Sequence, residues 1–577
     1  MAKKRDFKTV FLSGNEALAW GARKAGVSFA SSYPGTPATE ILEELAGFNE
    51  VEAQWAVNEK VAYEAAFGAS IGGRRALTAF KHVGLNVAMD SLMVTAYTGV
   101  NAGFVVCVAD DPGMHSSQNE QDTRLAAPYA KVPLVEPSSP SEAYRFIREA
   151  YRVSERFSTP VLFRLTTRVS HTKESFMAGG ASLKLRRRAE KDARKYVMIP
   201  PHARPRHREL EKRIRRIALY SEKSPLNRYE LRSRKIGFIA SGVSAMYVKE
   251  AYPDASTLTL GMSYPFPASM AKDFAGKVKR LYVVEELEPF MEDELRRRGI
   301  KAGGRKESWF CGELDPDSVR KIVSGKERGR ERPKGRQPAL CPGCPHRPVF
   351  HVLRRYGAYV TGDIGCYTLG ALEPLAALHT QTCMGSSIPF FEGLGKSDPG
   401  KKVVAVIGDS TFIHAGISGL VSAAYNGAKG VVIIMDNSTA AMTGAQDHPA
   451  TGITLKGNKT KRLSLEGMAK AAGAENVDVV DPFDIESLYG LITRRGNEKA
   501  LSVIICRAMC KMVDKSRSLP YSVDMDICKR CGECLKLGCP AITEERNGEI
   551  SISPELCTGC GLCADVCGFD AIKRLRK

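Results

Sequence analysis

Eight cysteines near the end of the chain are the residues whose spacing points most directly to chemistry. They form two groups of four between positions 528 and 567, spaced Cys-x2-Cys-x2-Cys-x4-Cys and Cys-x2-Cys-x2-Cys-x3-Cys. Thiolates at this spacing are typical of segments that hold two 4Fe–4S clusters, in which the last cysteine of each group binds the cluster of the other group. The pattern therefore predicts that this chain transfers electrons.

This crossed arrangement assigns the eight thiolates to two sets of four. One set is Cys528, Cys531, Cys534 and Cys567, and the other is Cys557, Cys560, Cys563 and Cys539. Structural zinc is the alternative, but zinc takes four ligands, usually as two Cys-x2-Cys pairs, and eight ligands in three-plus-one order fit that poorly. The first group has one extra residue before Cys539, and Gly568 stands where a proline usually follows Cys567. Neither departure removes a ligand.

Two apolar runs upstream, at 403–407 and 431–435, predict neighbouring buried strands with a helix between them. Polar residues follow each run: Gly408, Asp409 and Ser410 after the first, and Asn437 and Thr439 after the second. The carboxyl ends of parallel strands meet at one edge of a sheet, where ligands bind and a helix N-terminus attracts anions. Asp409 and Asn437 are oxygen ligands suited to Mg²⁺, with a diphosphate completing the octahedron.

This segment resembles the thiamine diphosphate signature, which is Gly-Asp-Gly followed by an asparagine, although Ser410 replaces the last glycine. The resemblance implies that a second, upstream α/β domain supplies a glutamate to the pyrimidine ring of the cofactor. Glu59 fits that role, because it follows Asn58, a helix-capping residue, and precedes an alanine-rich helix. The alternatives are an ordinary α/β turn with a capping aspartate, and an acid that complements a helix dipole.

Longer motifs resemble one family. Four segments, and the order of the parts, are similar to the α subunits of indolepyruvate ferredoxin oxidoreductases. The segments are SSYPGTPATE (31–40), DDPGMHSSQNEQDTR (110–124), TTRVSHT (166–172) and CPGCPHR (341–347). These are thiamine-dependent 2-oxoacid:ferredoxin oxidoreductases. The resemblance implies that an aryl 2-oxoacid loses CO₂, that ferredoxin receives the electrons and that coenzyme A receives the acyl group. It also implies a smaller β subunit and a dimer of αβ units.

The same resemblance implies a third 4Fe–4S cluster, held by Cys341, Cys344, Cys366 and Cys510. The alternative is that CPGCP is a tight turn with free thiols.

Five further polar residues are candidates for contact with substrate or cofactor. Thr36 matches the family threonine near the substrate. His115 lies in a polar loop that a 2-oxoacid could reach, although a loop histidine is usually solvated. His414 follows the Gly-Asp-Ser turn and could contact thiamine, and the pair Lys81-His82 either lines the site or caps a strand.

The predicted fold is a multidomain α/β protein. It has two doubly wound, parallel-sheet domains that bind thiamine diphosphate, a middle α/β domain and a two-cluster ferredoxin-like α+β domain. The predicted parts are a pyrimidine-binding domain (1–173), a basic helical connector (174–235), a middle domain (236–325), a linker (326–338), a diphosphate-binding domain (339–518) and the cluster domain (519–577).

Charge and hydropathy limit the partners. The net charge of +20 allows nucleic-acid binding, but the basic stretch 185–216 has few aromatic residues for base stacking. We interpret it as a solvated connector, with a docking surface for an acidic partner as the alternative. No apolar run is long enough to span a bilayer and no signal-peptide core is evident, so we expect a cytoplasmic protein that binds neither membrane nor nucleic acid.

Several functional alternatives remain open from the residues alone. They are the same reaction on a different 2-oxoacid, a non-oxidative decarboxylase, an electron-transfer subunit with a degenerate thiamine site and a cluster-containing nucleic-acid-binding protein. The eight terminal thiolates argue against the non-oxidative enzyme.

Overall fold

The computed structural model describes residues 7–179, 182–183, 187–329 and 337–575. The chain divides into two compact units, Met1–Arg332 and Pro333–Lys577. The first contains the predicted pyrimidine-binding domain, connector and middle domain, and the second contains the diphosphate-binding and cluster domains. Part of the predicted linker, 330–336, lies outside the described residues.

The first unit alternates strands and helices. Its strands are β1 (Phe7–Ser13), β2 (Phe29–Ser32), β3 (Glu52–Trp55), β4 (Ala76–Lys81), β5 (Phe104–Asp110), β6 (Leu134–Val135), β7 (Val161–Thr166), β8 (Lys173–Gly179), β9 (Arg228–Glu230), β10 (Ile236–Ser241), β11 (Ser256–Leu260), β12 (Met262–Tyr264) and β13 (Arg280–Val284). Its helices are α1 (Gly14–Lys24), α2 (Thr39–Ala46), α3 (Glu59–Ile71), α4 (His82–Thr98), α5 (Thr123–Ala130), α6 (Pro140–Phe157), α7 (Thr167–His171), α8 (Ala193–Tyr196), α9 (Pro200–Ser221), α10 (Ser244–Ala251), α11 (Ala268–Ala275), α12 (Phe290–Arg297) and α13 (Pro316–Val323).

The main sheet of this unit has the strand order β12-β6-β7-β5-β4-β2-β3. Its strands are parallel except β12, which runs antiparallel to β6. Strands β5 and β7 are buried along their whole length, as expected for a parallel sheet covered by helices on both faces. Strands β2, β4 and β5 end at the same edge, and Thr36, Lys81 and His115, which are predicted site residues, lie at or just after these strand ends.

A smaller sheet with the order β13-β10-β11-β9 forms the middle domain. Its strands β10, β11 and β13 are parallel, which confirms the parallel α/β prediction for this region, and β9 adds an antiparallel edge. Strand β12 belongs to the middle domain in sequence but joins the main sheet. This exchange explains why the two sheets fall in one compact unit.

The predicted connector is less uniform than its sequence indicates. It begins with β8, which pairs antiparallel with β1, and only later forms α8 and α9. The buried Arg213 of α9 donates a 2.7 Å hydrogen bond to the Ala96 carbonyl, and burial lowers the pKa of this guanidinium to about 10. Part of the connector therefore packs on the domain rather than lying wholly in solvent.

The second unit begins with another α/β layer and ends with small hairpins. Its strands are β14 (Tyr359–Thr361), β15 (Val403–Gly408), β16 (Gly430–Asp436), β17 (Asn476–Val480), β18 (Leu501–Arg507), β19 (Tyr521–Val523), β20 (Ile542–Glu544), β21 (Ile550–Ile552) and β22 (Ile572–Arg574). Its helices are α14 (His346–Tyr356), α15 (Ser387–Ser397), α16 (Asp409–Thr411), α17 (Ile417–Tyr425), α18 (Leu465–Ala471), α19 (Ile485–Asn497) and α20 (Leu562–Asp565).

Its main sheet is wholly parallel in the order β14-β15-β16-β18-β17, while β19 pairs with β22 and β20 with β21 in antiparallel fashion. One apolar core joins the two parts, because Leu537 and Ile542 of the cysteine-rich part cluster with Val349 and Leu353 of α14. The cysteine-rich segment is therefore packed on the sheet domain. Among the described residues, none of the helices is long and apolar enough to cross a membrane.

Candidate functional site

The carboxyl edge of the second unit's sheet gathers the residues predicted to bind a metal and a diphosphate. Strand β15 ends at Gly408, α16 begins at Asp409, and the neighbouring β16 ends at Asp436. Asp409, Ser410, Asn437 and Thr439 are all buried. A Cβ on Gly408 would lie 2.9 Å from the Tyr367 ring, so a side chain there would crowd the turn.

The Asp409 carboxylate is surrounded by donors. It accepts hydrogen bonds from the backbone N–H groups of Ser410 (2.7 Å) and Ser438 (2.8 Å), and its Oδ2 lies 3.2 Å from Nε2 of His448. Burial raises the pKa of Asp409, and contact with His448 opposes that rise. A cation bound here would stabilise the buried carboxylate in its charged form. The sequence reasoning missed His448, whose only signal was a histidine before a proline in the loop after β16.

Asn437 is the second predicted oxygen ligand. Its Nδ2 lies 3.4 Å from Nε2 of His346, and its Oδ1 accepts only a long hydrogen bond, 3.4 Å, from the Thr439 N–H. Burial lowers the pKa of His346 to about 4, so this imidazole is neutral near pH 7. The non-glycine residue Ser438 has φ of 58°, a sparsely populated conformation that clusters at functional sites. Buried oxygens from two adjacent strand ends fit the donor set of Mg²⁺.

His414 follows this site in a π-helical turn, Phe412–Gly416, between α16 and α17, and its side chain is buried. Such turns interrupt a regular helix and occur frequently at functional sites. The structure thus places His414 in the chain segment that leaves the Asp409 turn.

Asp363, which the sequence reasoning missed, holds the loop that carries Cys366. Its fully buried carboxylate accepts hydrogen bonds from the Gly385 N–H (3.2 Å), the Ser387 hydroxyl (3.0 Å) and the Tyr367 hydroxyl. Burial raises the pKa of Asp363 to about 7, although these hydrogen bonds favour the charged form. Its only sequence signal was an acid directly after a short apolar strand.

The four cysteines of the predicted inner set lie near one another. Burial raises the pKa of Cys366 to about 11, and the neighbouring thiols of Cys510 and Cys341 add to this rise. Burial likewise raises the pKa of Cys344 to about 12, with contributions from Cys366 and Cys341. Asp409 is among the groups that raise the pKa of the partly buried Cys510. The Cys510 N–H also donates a 3.0 Å hydrogen bond to the Asn437 carbonyl, so the inner set adjoins the site of Asp409 and Asn437.

Both terminal sets are also brought together. Burial raises the pKa of Cys534, and the thiols Cys531, Cys528 and Cys567 add to it. Burial raises the pKa of Cys563 to about 12, with contributions from Cys560, Cys557 and Cys539. In the part of the chain that the structure describes, no group of three or more His, Cys, Asp or Glu side chains has the arrangement of a metal-ion site. A four-iron cluster separates its thiolates more widely than a single ion does.

A small cavity of about 20 Å³ lies between Cys344 of the inner set and one terminal set. Its walls include Cys344 on one side, and on the other the cysteines of the second set, which are Cys539, Cys557, Cys560 and Cys563. The two sides approach closely, because a Cβ on Gly343 would lie 2.3 Å from the Thr558 hydroxyl. The buried Arg347 links the two sides, because its guanidinium donates hydrogen bonds to the carbonyl oxygens of Leu537 and Leu340.

In the first unit, Glu59 occupies the first turn of α3, which Asn58 caps by accepting a 2.9 Å hydrogen bond from the Val61 N–H. The Glu59 side chain is buried, and a Cβ on Gly84 would lie 2.8 Å from its Oε1. The absence of a side chain at Gly84 therefore makes room for the carboxylate at the edge where β4 ends.

Thr36 and His115 lie in different surroundings. Thr36 is partly buried in the loop between β2 and α2. His115 lies on an exposed loop, where its Nε2 is 3.2 Å from a carboxylate oxygen of Glu313. An exposed imidazole beside a surface acid favours the alternative of a solvated loop histidine.

Family models match three parts of the chain. A pyruvate flavodoxin/ferredoxin oxidoreductase, thiamine diphosphate-binding domain matches residues 20–222, which include Glu59, and a thiamine pyrophosphate enzyme, C-terminal TPP-binding domain matches 363–506, which include Asp409 and Asn437. A 4Fe–4S binding domain matches 550–573, which contain the second cysteine group.

The full-length relatives share one description. Indolepyruvate oxidoreductase subunit IorA of Methanothermobacter thermautotrophicus is 39% identical over 99% of this chain and 98% of its own length. This chain belongs to the IorA family. The IorA subunit of Pyrococcus abyssi is 37% identical over 98% of this chain and 97% of its own length. The family assignment makes the chain a 2-oxoacid oxidoreductase with an iron–sulfur acceptor, and the domain matches support thiamine diphosphate and an iron–sulfur cluster as cofactors.

Two further matches cover part of the chain. The 2-oxoglutarate synthase subunit KorA of Archaeoglobus fulgidus is 27% identical over 55% of this chain and 98% of its own length. The solved 2-oxoglutarate:ferredoxin oxidoreductase from Magnetococcus marinus covers 55% of this chain and 65% of its own, at 16% identity and a TM-score of 0.46.

Replacing Asp409 with alanine should weaken binding of thiamine diphosphate with Mg²⁺ by about 10- to 100-fold, because removal of a buried charged partner costs on the order of 1.5–3 kcal/mol. Equilibrium dialysis of the purified protein measures this change. Asp398→Ala, at an exposed loop position after α15, is the matched control and should bind as the unmodified chain does. Unchanged cofactor affinity in Asp409→Ala would remove Asp409 from the site.

Proposed function

We propose that this chain is the catalytic subunit of an enzyme that oxidatively decarboxylates aryl 2-oxoacids, indolepyruvate and similar compounds, to aryl-acyl-CoA with ferredoxin as the electron acceptor. The observation that carries the proposal is the placement of Cys510 beside Asn437, whose carbonyl oxygen accepts a 3.0 Å hydrogen bond from the Cys510 N–H. An iron–sulfur cluster held by this cysteine set would provide an electron acceptor next to the metal–diphosphate site. This placement favours oxidation over simple decarboxylation.

Bound thiamine diphosphate would supply a carbon nucleophile and an electron sink. We assign Asp409 and Asn437 to Mg²⁺, and Gly408, Ser410 and Thr439 to the diphosphate. In the first unit, we assign Glu59 to the pyrimidine ring, where its carboxylate exchanges a proton with a ring nitrogen. Thr36, His115 and His414 remain candidates for contact with substrate or cofactor, with His115 the least supported by its surroundings.

We further propose that three 4Fe–4S clusters form the exit path for two electrons per substrate, transferred one at a time. The first cluster would bind to the inner cysteines. The second would bind to the set that faces Cys344 across the small cavity. The third would bind to the set that includes Cys531, which is exposed. An exposed outer cluster is the point from which ferredoxin would be reduced.

The proposed partners are a smaller β subunit, ferredoxin and coenzyme A, in a dimer of αβ units. The names of the full-length relatives support a subunit of a larger enzyme, since each is described as a subunit of an oxidoreductase.

We expect indolepyruvate, phenylpyruvate and hydroxyphenylpyruvate to be oxidised with kcat/KM about tenfold or more above those of pyruvate and 2-oxoglutarate. Burial of an aromatic side chain in an apolar pocket is worth about 1.5–3 kcal/mol, which exceeds the value of a tenfold preference. The measurement is coenzyme A-dependent ferredoxin reduction, under anaerobic conditions, by the complex copurified with the β subunit. Equal rates with pyruvate would contradict the aryl assignment and leave the reaction class intact.

A further inference from the structure

The ammonium group of Lys81, at the edge of the main sheet in the first unit, has N–H donors available for a ligand. It is the last residue of β4, and its side chain is half-buried. A Cβ on Gly35, in the loop that carries Thr36, would lie 3.6 Å from the Lys81 Cγ. The aliphatic part of Lys81 therefore packs along the Thr36 loop.

The hydrogen bonds of this ammonium are incomplete. An ammonium has three N–H donors. Among the described residues, Lys81 makes one hydrogen bond, a 2.5 Å contact from Nζ to the Ser116 carbonyl oxygen. Two donors of a half-buried cation are thus available to a ligand.

The neighbouring Asp111 is hydrogen-bonded to neutral donors. The Asp111 carboxylate accepts hydrogen bonds from the Ser116 N–H (2.8 Å), the Ser117 hydroxyl (2.7 Å) and the Thr167 hydroxyl (2.7 Å). Burial lowers the pKa of Lys81, whereas the negative charges of Asp111 and Glu59 raise it. The two carboxylates thus help to keep the ammonium charged, and Asp111 is already satisfied by neutral donors.

We propose that the Lys81 ammonium binds the carboxylate of the 2-oxoacid substrate. This inference rests on the proposed function, because it places the substrate next to Glu59, the residue assigned to the cofactor. Two available N–H donors match a carboxylate, whose two oxygens each accept hydrogen bonds. The substrate anion also adds a negative charge beside a cation whose neighbour Asp111 is already hydrogen-bonded to neutral donors.

The proposal predicts that Lys81 matters for 2-oxoacid substrates but not for the corresponding aldehydes. The aldehyde that corresponds to a 2-oxoacid lacks the carboxylate. Its oxidation by ferredoxin, with coenzyme A as the acyl acceptor, gives the same acyl-CoA and releases two electrons to ferredoxin, two protons and no CO₂. Lys81 should therefore contribute to the reaction of phenylpyruvate and contribute little to that of phenylacetaldehyde. If Lys81 only stabilised the fold, its replacement would slow the reactions of both substrates equally.

The test compares Lys81→Met with the unmodified chain in the complete αβ complex. We expect kcat/KM for phenylpyruvate to fall about 10- to 100-fold, mainly through KM, because a charge-assisted hydrogen bond is worth on the order of 1.5–3 kcal/mol. The kcat/KM for phenylacetaldehyde should change less than about threefold, well inside that range. Lys81→Arg, which keeps the charge, should recover part of the lost affinity.

Binding without turnover gives an independent measurement. Phenyllactate keeps the carboxylate but has no carbonyl carbon to attack, so its dissociation constant, from isothermal titration, reports carboxylate recognition alone. We expect it to rise about tenfold or more in Lys81→Met. Lys60→Met is the control, since Lys60 lies next to Glu59 in sequence but pairs with Glu64 on the exposed surface of α3.

Equal losses for the acid and the aldehyde, or unchanged affinity for phenyllactate, would overturn the assignment of Lys81. Failure of the unmodified complex to oxidise any 2-oxoacid would instead overturn the proposed function, and the two failures are distinguishable because the second occurs without any substitution.

Discussion

Replacing Glu59 with glutamine should reduce 2-oxoacid turnover by about 10²- to 10⁴-fold, the usual contribution of a positioned acid–base group. Glutamine keeps the size of the side chain but cannot exchange a proton with the pyrimidine ring. Glu59 is buried against the backbone of Gly84. Iron content should stay unchanged, because the cysteine sets lie in the other compact unit.

The measurement is steady-state ferredoxin reduction together with iron and thiamine analysis of the same preparation. Glu64→Gln is the matched control, since Glu64 lies on the same helix but pairs with Lys60 at the surface. The control should retain nearly full activity. Near-normal turnover by Glu59→Gln would remove Glu59 from the mechanism, and loss of iron would show that the substitution disturbs the fold.

Replacing Cys560 with alanine should abolish nearly all ferredoxin reduction while the cofactor site stays intact. Cys560 lines the cavity opposite Cys344, so its proposed cluster is the only carrier that we place between the inner and outer clusters. The variant should lose about four irons per chain, the content of one 4Fe–4S cluster. Binding of thiamine diphosphate should be unaffected, and a small dye that reaches the inner site should still be reduced slowly.

Cys311→Ala is the control for this experiment, because Cys311 is an exposed cysteine outside the three sets. A Cys560→Ala chain that still reduces ferredoxin at the normal rate would place the cluster off the electron path. Removing the whole cysteine-rich segment is a less informative change. It would uncover Val349 and Leu353 of α14, which share an apolar core with Leu537, so the loss of function could then reflect an unfolded sheet domain.

The local spacing of the sequence determined the terminal cysteine sets and the polar strand ends. Three thiolates separated by two residues each must lie within one short loop, whatever the rest of the fold does, because the chain between them is too short to separate them. The same argument holds for Asp409 and Asn437: each directly follows a buried apolar strand, and parallel pairing of β15 with β16 brings the two strand ends to one edge. Helix capping by Asn58 was likewise a local property.

Only the tertiary structure decided which distant side chains complete the site. His448 contacts Asp409, His346 contacts Asn437, and Asp363 holds the loop of Cys366. The sequence around a lone histidine or aspartate in a loop has no periodicity or spacing that identifies the residue it contacts. These contacts depend on how loops from different strands pack at one sheet edge, and their energies arise from burial that the linear sequence does not show.

The position of Cys510 and the hydrogen bonding of Lys81 also depend on the tertiary structure. The sequence put Cys510 just beyond a strand, and a family resemblance linked it to the inner set. Its contact with Asn437, however, follows from the order of strands in the sheet. Lys81 could line a site or cap a strand as far as the sequence tells. Asp111 is hydrogen-bonded to other groups, so N–H donors of the Lys81 ammonium stay available. Which donors and acceptors are paired is decided only when the chain folds.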